Sequence, residues 1–360
     1  MLKYNEQNER IKREYCIHQK EADHKAESTL DGIRKALARY EAYTDYKDFK
    51  TFNMNQAIGF KKHFTKCRTA RTDEPLSKAT MHSTLNILKG FFKWLTLHPD
   101  YRTSIKALDI GYLNLSDKDI NIARSRKEPD YPTLEQIRTA VLAMPHTTEM
   151  QKRDRAVVAF TILTGARDSA TISFRLKHLD TEKGILKQYP DEVKTKFSKT
   201  IITGFFPVGK DFKEIVVEWA RFLQAEKLYS PNDPLFQKTT LEHDENHAFV
   251  PVGLSKEHWS NTTPVRQIFR QAFEAAGLPY FNPHSFRHTL VHLAERYCKT
   301  PEDFKAWSQN LGHENVLTTF TSYGTLSTHR QCELVQGLSL EENTDNRKLK
   351  ELLKLAADSL

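Results

Sequence analysis

The sequence contains little cysteine and has no long apolar run. Its four cysteines are Cys16, Cys67, Cys298 and Cys332. They lie far apart and form no Cys-x-x-Cys motif, so a zinc ribbon and a disulfide-rich scaffold are excluded. No apolar stretch is long enough to span a bilayer, no repeat or low-complexity tract occurs, and the start, MLKYNEQNERIKREY, is too charged for a signal peptide. We therefore expect a cytoplasmic protein with reduced thiols and no membrane partner.

The composition of the chain is moderately basic. It contains 54 Lys and Arg against 46 Asp and Glu, which gives a net charge of +8 and a pI near 9.1. This balance suits a polyanionic partner such as nucleic acid, although a merely basic protein has the same composition. With 360 residues, of which 39% are hydrophobic, the chain can form two domains that each have a core.

The N-terminal third of the chain is predicted to be helical. Residues 1–27 are densely charged and indicate an exposed arm or helix that gains order on binding. Residues 28–106 carry apolar stripes at helical spacing and are predicted to form a compact helical domain; the clearest stripe begins after Ser77. Residues 107–131 show little periodicity and are predicted to be a linker.

Basic residues cluster after the second predicted helix and within the predicted linker. Such a cluster could follow a DNA phosphate backbone, because Lys and Arg there would displace counterions. A solvated charged face is the alternative interpretation. The candidate DNA-binding residues in this part of the chain are Lys61, Lys62, Lys66, Arg68, Arg71, Arg124, Arg126 and Lys127.

From residue 132 onward the pattern stays mainly helical but includes paired strands. Thr133 opens a helix that runs to Ala143, and Gly165 is placed to end another helix as its C-cap. The segments GILKQ and TIITGFFPV alternate in the way of antiparallel strands and flank the basic turn KTKFSK. Residues 229–262 contain several prolines and are predicted to be a long loop.

Residues 282–324 contain groups suited to phosphodiester chemistry. Asn282 and Pro283 are typical of a helix start, whose N-terminal end favours anions. The candidate groups are His284 and Arg287 on one helical face, His313 at the end of a second helical run, and Tyr323 in a Thr- and Ser-rich segment. A tyrosine nucleophile with donors that neutralise charge on the phosphate oxygens can attack a phosphodiester without a metal.

Four short motifs occur in the order found in tyrosine recombinases of the phage integrase family. They are Thr164-Gly165-Ala166-Arg167, HSFR from His284, LGHE from Leu311 and TSYG from Thr321. The chain resembles this family from residue 132 onward, and its N-terminal third resembles it only in helical character. The resemblance implies a mainly α fold, with an N-terminal helical core-binding domain and a mixed α+β catalytic domain over residues 132–330 that contains a small antiparallel sheet.

The resemblance also implies the reaction. The Tyr323 hydroxyl would attack a DNA phosphate to give a 3′-phosphotyrosyl link, so that the bond energy is retained and no cofactor is required. Arg167 and Arg287 would hold the nonbridging oxygens, because a guanidinium offers paired planar donors. His284 and His313 would complete the donor set, and His284 could also accept the tyrosine proton.

The resemblance further places a general acid in the turn between the two strands. Family members often carry K-x-x-K there, which fits Lys196-Phe197-Ser198-Lys199. We therefore predict that Lys196 protonates the leaving oxygen, with Lys194 and Lys199 as alternatives that could also contact DNA. In the family, such a turn lies on the catalytic domain.

The family suggests an assembly as well. Residues 331–360 are predicted to be a tail with a short amphipathic helix, which in the family often packs on a neighbouring subunit of a tetramer. A homotetramer on double-stranded DNA at the nucleoid, acting in integration or excision of a phage or other mobile element, is therefore expected. An accessory directionality factor is a further partner of the kind the family uses.

Two departures from the family pattern affect the predicted site. Ala170 stands where family members often carry an acidic residue, and Asp168 is expected to point elsewhere on its helix. The segment between His313 and Tyr323 is one residue longer than the commonest spacing.

A type IB topoisomerase-like enzyme and a noncatalytic DNA-binding protein of the same fold are the alternative functions.

A metal site is the remaining alternative at the central helix. His284, His288 and His292 recur every four residues, and two such histidines can bind zinc. Ser285 occupies the place where a zinc-protease motif needs Glu, and Arg287 would repel a cation. We therefore predict no metal, with His288 and His292 packed or at the surface.

Overall fold

The computed structural model describes residues 4–69, 73–125, 130–195, 199–244 and 247–313. By the density of its internal contacts the chain divides into two compact units, Met1–Arg126 and Lys127–Leu360. Each unit has its own cluster of buried apolar side chains. The expectation of a mainly α fold with a small antiparallel sheet is confirmed, and a second small sheet is also present. No helix in the described ranges is long and apolar enough to cross a membrane.

The first unit is helical. Its helices are α1 (Glu6–Glu21), α2 (Glu27–Thr44), α3 (Met54–Phe64), α4 (Lys78–Leu95), α5 (Ala107–Ile110) and α6 (Asp117–Arg124). Helix α4 is central because Leu88, Phe91 and Phe92 are completely buried among the aromatic rings of its neighbours. The predicted start of α4 is confirmed, since the Ser77 hydroxyl accepts a hydrogen bond from Thr80 N at 3.1 Å.

Two expectations for the first unit differ from the structure. The charged N-terminal segment is not an exposed arm: α1 buries Ile11 and Tyr15, and the Asn8 amide group bonds to Lys47 O and Phe49 N. The predicted linker 107–131 instead contains α5, α6 and the buried side chain of Leu113, so residues 107–125 belong to this unit. Its helices are too short to show an apolar period, which is why the pattern indicated a linker.

The second unit combines helices with two small sheets. Its helices are α7 (Leu134–Ala143), α8 (Glu149–Thr164), α9 (Asp168–Thr171), α10 (Lys210–Arg221), α11 (Thr263–Ala275), α12 (Ser285–Tyr297) and α13 (Pro301–Asn310). The strands β1 (Leu179–Asp180), β2 (Ile185–Gln188) and β3 (Ile201–Gly204) form an antiparallel sheet in that order. Helix α8 passes through the core, and its last nine residues, 156–164, are all buried.

The prediction of a long loop over residues 229–262 is wrong. Strands β4 (Thr239–His243) and β5 (Phe249–Leu254) pair there as an antiparallel hairpin with a bulge at Thr240/Leu241. The base of the hairpin is fixed to α8, because Arg153 donates to Gln237 O at 2.8 Å and to Thr239 Oγ1 at 2.9 Å. Proline and glycine within β5 hid the strand in the sequence.

Candidate active site

The first element of the site is the turn that follows α8. Gly165 ends this helix as predicted, in the left-handed conformation with φ of +61°. A Cβ there would lie 2.9 Å from Leu311 Cδ2 and 3.0 Å from Leu290 Cδ1, so only glycine fits. The turn delivers Arg167 to the position before α9, where its carbonyl accepts hydrogen bonds from Ala170 N and Thr171 N, both at 2.9 Å.

The second element is the start of α12. The helix begins at Ser285, two residues later than the predicted capping residue would suggest, with His284 as its N-cap. Asn282 still organises the turn, since its side chain accepts from Ser285 N at 3.2 Å and its carbonyl accepts from Ser285 Oγ at 2.6 Å. Phe286 and Leu290 are fully buried and fix the helix in the core, so Arg287 is held in its first turn.

The third element is the turn that follows α13. Gly312 is left-handed, with φ of +69°, and a Cβ there would meet Ile201 Cδ1 of β3 at 2.8 Å. The backbone closes the helix through Gly312 N to Gln309 O at 2.8 Å and His313 N to Ser308 O at 3.1 Å. The Asn310 amide group also bonds to both backbone groups of Gly204 in β3, at 2.7 and 2.8 Å.

One guanidinium group joins these three elements. Arg287 has only 6% of its surface exposed, and it donates through Nη1 to Gly165 O and through Nη2 to Leu311 O at 2.6 Å. The same Nη2 lies 3.1 Å from His313 Nε2. Because a guanidinium can only donate, His313 Nε2 must be the acceptor, and its proton is therefore on Nδ1. Three distant motifs thus meet at a single side chain.

Among the described residues, neither arginine of this site forms an ion pair with a carboxylate. Within the described part of the chain, the half-buried Arg167 side chain makes no hydrogen bond or ion pair, and burial lowers its pKa. Burial, followed by the charge of Arg167, lowers the pKa of Arg287 to about 9, so that both groups stay charged at neutral pH. Two close guanidinium groups without a carboxylate between them form a binding site for an oxyanion.

The two imidazoles beside these arginines are neutral at neutral pH. Desolvation, followed by the charge of Arg287, lowers the pKa of His284 to about 4, although the side chain is still partly open to solvent. The same two causes in the same order lower the pKa of His313 to about 4. Neutral imidazoles can accept a proton or donate a hydrogen bond, which suits acid–base work at a phosphate.

The structure brings together four of the predicted catalytic residues: Arg167, His284, Arg287 and His313. Lys196 and Tyr323 lie outside the described residues, so their roles stay predictions. The two alternative lysines are both exposed in the connection between β2 and β3. The backbone N of Lys194 donates to Ser173 Oγ at 3.0 Å.

An acidic residue that the sequence did not assign lies next to this site. Asp168 pairs with Arg266 of α11, with Nη2 to Oδ2 at 2.9 Å, and its charge raises the pKa of His284 against the larger opposing effects. Ala170 stands where family members often carry an acidic residue. Only 3% of its surface is exposed, so it is part of the core. The partners are 98 positions apart, so local sequence gave no signal for the pair.

The candidate DNA-binding residues of the first unit fall into two groups. Lys61 donates to Asn114 O at 2.8 Å, and Arg68 donates to Asp73 O at 2.5 Å, so both hold backbone in place. Lys62 and Lys66 are exposed, and their side chains make no hydrogen bond or ion pair with any described residue; Arg124 is exposed at the end of α6. The remaining candidates lie outside the described residues: Arg71, Arg126 and Lys127.

The histidine row of α12 does not converge on one point. The His284 and His288 rings lie 5.5 Å apart and nearly perpendicular, whereas the His292 ring stacks on Tyr131 at 4.4 Å. Among the described residues, no group of three or more His, Cys, Asp or Glu side chains could hold a metal ion. His292 is therefore a packing residue.

Comparison with known proteins identifies a family and several relatives with similar sequences. The model of the phage integrase family matches residues 133–330. The chain is 25% identical over 250 residues to tyrosine recombinase XerC of Lactobacillus delbrueckii subsp. bulgaricus, covering 69% of this chain and 72% of the relative.

Two solved structures share the fold. The XerH recombinase bound to a palindromic difH substrate aligns with a TM-score of 0.60 at 15% identity, over 93% of this chain and 85% of that one. The lambda integrase tetramer bound to a Holliday junction aligns with a TM-score of 0.59 at 13% identity, over 89% of this chain and 78% of that one. Motifs, fold and relatives together define a DNA strand-transfer recombinase of the tyrosine type. The chain belongs to the phage integrase family.

Proposed function

We propose that this protein cleaves and rejoins double-stranded DNA at specific sites, with Tyr323 as the nucleophile, in the integration or excision of a phage or other mobile element. The observation that carries the proposal is the pair of guanidinium groups at Arg167 and Arg287, of which Arg167 has no partner among the described residues. A site that holds two uncompensated cations at low solvent exposure is suited to a bound phosphate.

In the proposed reaction, the Tyr323 oxygen attacks the phosphorus and the bond from phosphorus to the 5′ oxygen breaks. His284, neutral at pH 7, accepts the phenolic proton, and a lysine ammonium of the β2–β3 connection gives a proton to the leaving 5′ oxygen. The products are a 3′-phosphotyrosyl link and a 5′-hydroxyl. Attack by a 5′-hydroxyl of another strand runs the same steps in reverse, so the number of phosphodiester bonds is conserved.

The two arginines and His313 act on the charge that develops at the phosphate. Arg287 uses two of its N–H donors on backbone carbonyls and keeps others for a nonbridging oxygen, while Arg167, whose side chain has no partner among the described residues, can direct the N–H edge of its guanidinium group toward the same phosphate. His313 carries its proton on Nδ1 and adds a further donor. Arg287 and His313 are held by these contacts before DNA binds, which is the arrangement that stabilises a transition state most effectively.

The proposed assembly is a homotetramer in the cytoplasm, at the nucleoid. Support comes from the lambda integrase structure of similar fold, which is a tetramer on a Holliday junction, and from the leucines of the tail: Leu349, Leu352, Leu353 and Leu355. Truncation after Asn346 is expected to leave binding to a single site and some covalent adduct, with loss of the larger complexes. Light scattering of the DNA complexes measures this, and tetramers of normal stability in the truncated protein would contradict it.

The test of the proposed function is a covalent trap. Duplexes nicked close to the cleavage site should accumulate a protein–DNA adduct with the wild-type protein and none with Tyr323→Phe, while DNA affinity changes little because no charge is lost. A normal adduct yield from Tyr323→Phe would place the nucleophile elsewhere. No adduct from either protein would favour a noncatalytic DNA-binding protein. Strand exchange between two sites, rather than relaxation of supercoils alone, separates a recombinase from a topoisomerase.

A further inference from the structure

Two hydrogen-bonded segments, residues 174–177 and 231–235, form a rigid platform for the connection that carries the candidate general-acid lysines. Residues 174–177 are bonded to the segment 231–235 through Leu235 N to Phe174 O at 2.8 Å, Leu176 N to Asp233 O at 3.1 Å and Lys177 N to Pro231 O at 2.8 Å. Phe174 is fully buried. The platform therefore cannot shift without disturbing the core of the second unit.

A buried histidine stands on this platform. His178 is 1% exposed, and its Nδ1 accepts a hydrogen bond from Arg175 N at 2.9 Å. Because Nδ1 is used as an acceptor, the donor N–H of the ring is on Nε2. That Nε2 lies 2.8 Å from Glu192 Oε2 and must donate to it. The tautomer is thus set by the backbone, and the ring presents one donor in one direction.

Glu192 lies at the beginning of the lysine-bearing connection and receives two donors. Besides His178, the Lys177 ammonium lies 2.5 Å from Glu192 Oε1, and these two contacts, Lys177 first, hold the pKa of the Glu192 carboxyl at about 2. Next to it, Val193 is 2% exposed and its N donates to Tyr189 O at 2.8 Å. The carboxylate and the valine together fix this part of the connection to the platform.

A chain of hydrogen bonds then links the connection to the catalytic arginine. Lys194 N donates to Ser173 Oγ at 3.0 Å, Ser173 Oγ donates to Ala170 O at 2.9 Å, and Ala170 N donates to Arg167 O at 2.9 Å. The peptide that leads into the lysines is therefore connected through two residues to the backbone of Arg167. No step of the reaction described above uses His178, Glu192 or Ser173.

We propose that His178, Glu192 and Ser173 are positioning residues for strand cleavage, which hold the lysine-bearing connection at the Arg167 turn so that a lysine can protonate the leaving 5′ oxygen. This inference rests on the proposed function. Its consequence is selective: loss of the His178–Glu192 contact impairs proton donation to the leaving group, while Arg287 keeps its bonds to Gly165 O and Leu311 O.

A substrate with sulfur in place of the bridging 5′ oxygen tests this selectivity, because a thiolate leaves without a proton. Glu192→Gln should slow covalent adduct formation on ordinary DNA by about tenfold, a part of the hundredfold or more that a general acid contributes, and should slow it less than about twofold on the sulfur substrate. Measuring Lys196→Ala and Lys194→Ala on both substrates identifies which lysine protonates the leaving oxygen. Arg167→Ala should be slow on both substrates.

The matched control is Glu274→Gln, which removes a carboxylate of the same unit that pairs with Arg270 at 3.7 Å on the exposed face of α11. It should behave as the wild type on both substrates. His178→Phe, which keeps a buried ring without the hydrogen bonds, should repeat the Glu192→Gln pattern. If it does not fold, as judged by circular dichroism, Glu192→Gln decides alone, since Glu192 is at the surface.

Two results would overturn the positioning role. Equal slowing of Glu192→Gln on oxygen and sulfur substrates would mean that the contact supports only folding or phosphate binding, and no slowing on either would mean that it is irrelevant to cleavage. Both results still require a wild-type adduct. Failure of the wild-type protein to form any adduct would instead overturn the proposed function, and the positioning role with it.

Discussion

The two units use their basic side chains in different ways. In the first unit, Lys61 and Arg68 give their donors to backbone carbonyls of Asn114 and Asp73, so that these cations hold loops in place. In the second unit, Arg287 is bound to backbone in the same manner, but its pKa is lowered by burial and then by the charge of a second guanidinium, Arg167, that has no partner in the described ranges.

This difference separates cations that support structure from cations that await a ligand. A guanidinium bonded to carbonyls satisfies buried acceptors and stabilises the fold. A second guanidinium that lies close to the first, with no carboxylate beside it, raises the free energy of the unliganded protein. That free energy is recovered only when an anion binds. Substitutions that remove one kind of cation, or change the charge beside it, should therefore affect stability, strand cleavage and DNA affinity to different extents.

The largest effect is expected at Arg287, which has both roles. Arg287→Met should abolish adduct formation and lower the free energy of unfolding by about 3 kcal/mol, because the buried carbonyls of Gly165 and Leu311 lose their donors. Urea unfolding and the covalent trap measure the two losses. Arg296→Met is the matched control, since Arg296 is exposed in the last turn of the same helix. A variant as stable as the wild type would show that Arg287 does not join the three turns.

A substitution at Arg167 should affect the cleavage rate but not the stability. Arg167→Met is expected to slow cleavage by about a hundred- to a thousandfold, as loss of one preformed donor to a developing oxyanion does. Its stability should be unchanged or higher, because the side chain has no hydrogen-bond or ion-pair partner among the described residues and its charge lowers the pKa of Arg287. Thermal unfolding beside the adduct rate measures both, and a loss of stability like that of Arg287→Met would contradict the comparison.

The sequence predicted the helices and motifs of the second unit well, and the residues explain why. Gly165 was recognisable because only glycine suits a left-handed helix end, and His284, Arg287 and His313 stand within short motifs of fixed order. Long-range partners gave no local signal. The Asp168–Arg266 pair, the Arg153 contact to the β4–β5 hairpin and the Glu192–His178 contact each join distant segments, so only the folded chain reveals them.

The predicted linker shows a different limit of sequence reasoning. Helices α5 and α6 have four and eight residues, and Leu113 between them is completely buried although it belongs to no long apolar stripe. Periodicity cannot detect elements of one or two turns, because a stripe needs several repeats to differ from chance. Lys61 and its bond to Asn114 O then help to keep this segment in the first unit.

A smaller effect should distinguish the basic residues of the first unit. If Lys62 and Lys66 contact DNA phosphates, replacing each by Ala should reduce the slope of log affinity against log salt by about one. Lys61→Met should leave that slope nearly unchanged and instead cost about 1 kcal/mol of stability, because Asn114 O loses its donor. Salt titrations with one duplex measure the slopes. An equal change for Lys61→Met and Lys62→Ala would remove the distinction between the two groups.

The last predicted effect concerns pH and the two imidazoles beside the arginines. His284 and His313 have a pKa of about 4 in the folded protein against 6.5 as the ordinary value, so between these limits the unfolded chain binds protons that the folded chain does not. Acidification from pH 6.5 to 4 should therefore lower the free energy of unfolding, with little further change above 6.5.

Bound DNA and a histidine substitution should both weaken this dependence. A phosphate beside the arginines offsets the positive charge that now opposes protonation of the imidazoles, so the melting temperature of the DNA complex should fall less between pH 6.5 and 4. His313→Asn should flatten the same curve for the free protein, and His82→Asn, at a half-buried position of the first unit, is the control that replaces a histidine outside the site. Carboxylates such as Glu192, with a pKa of about 2, lose their contribution only below their unfolded value of 4.5, so the two windows can be measured apart. An unchanged slope for His313→Asn would mean that its imidazole is not held neutral by Arg287 and burial.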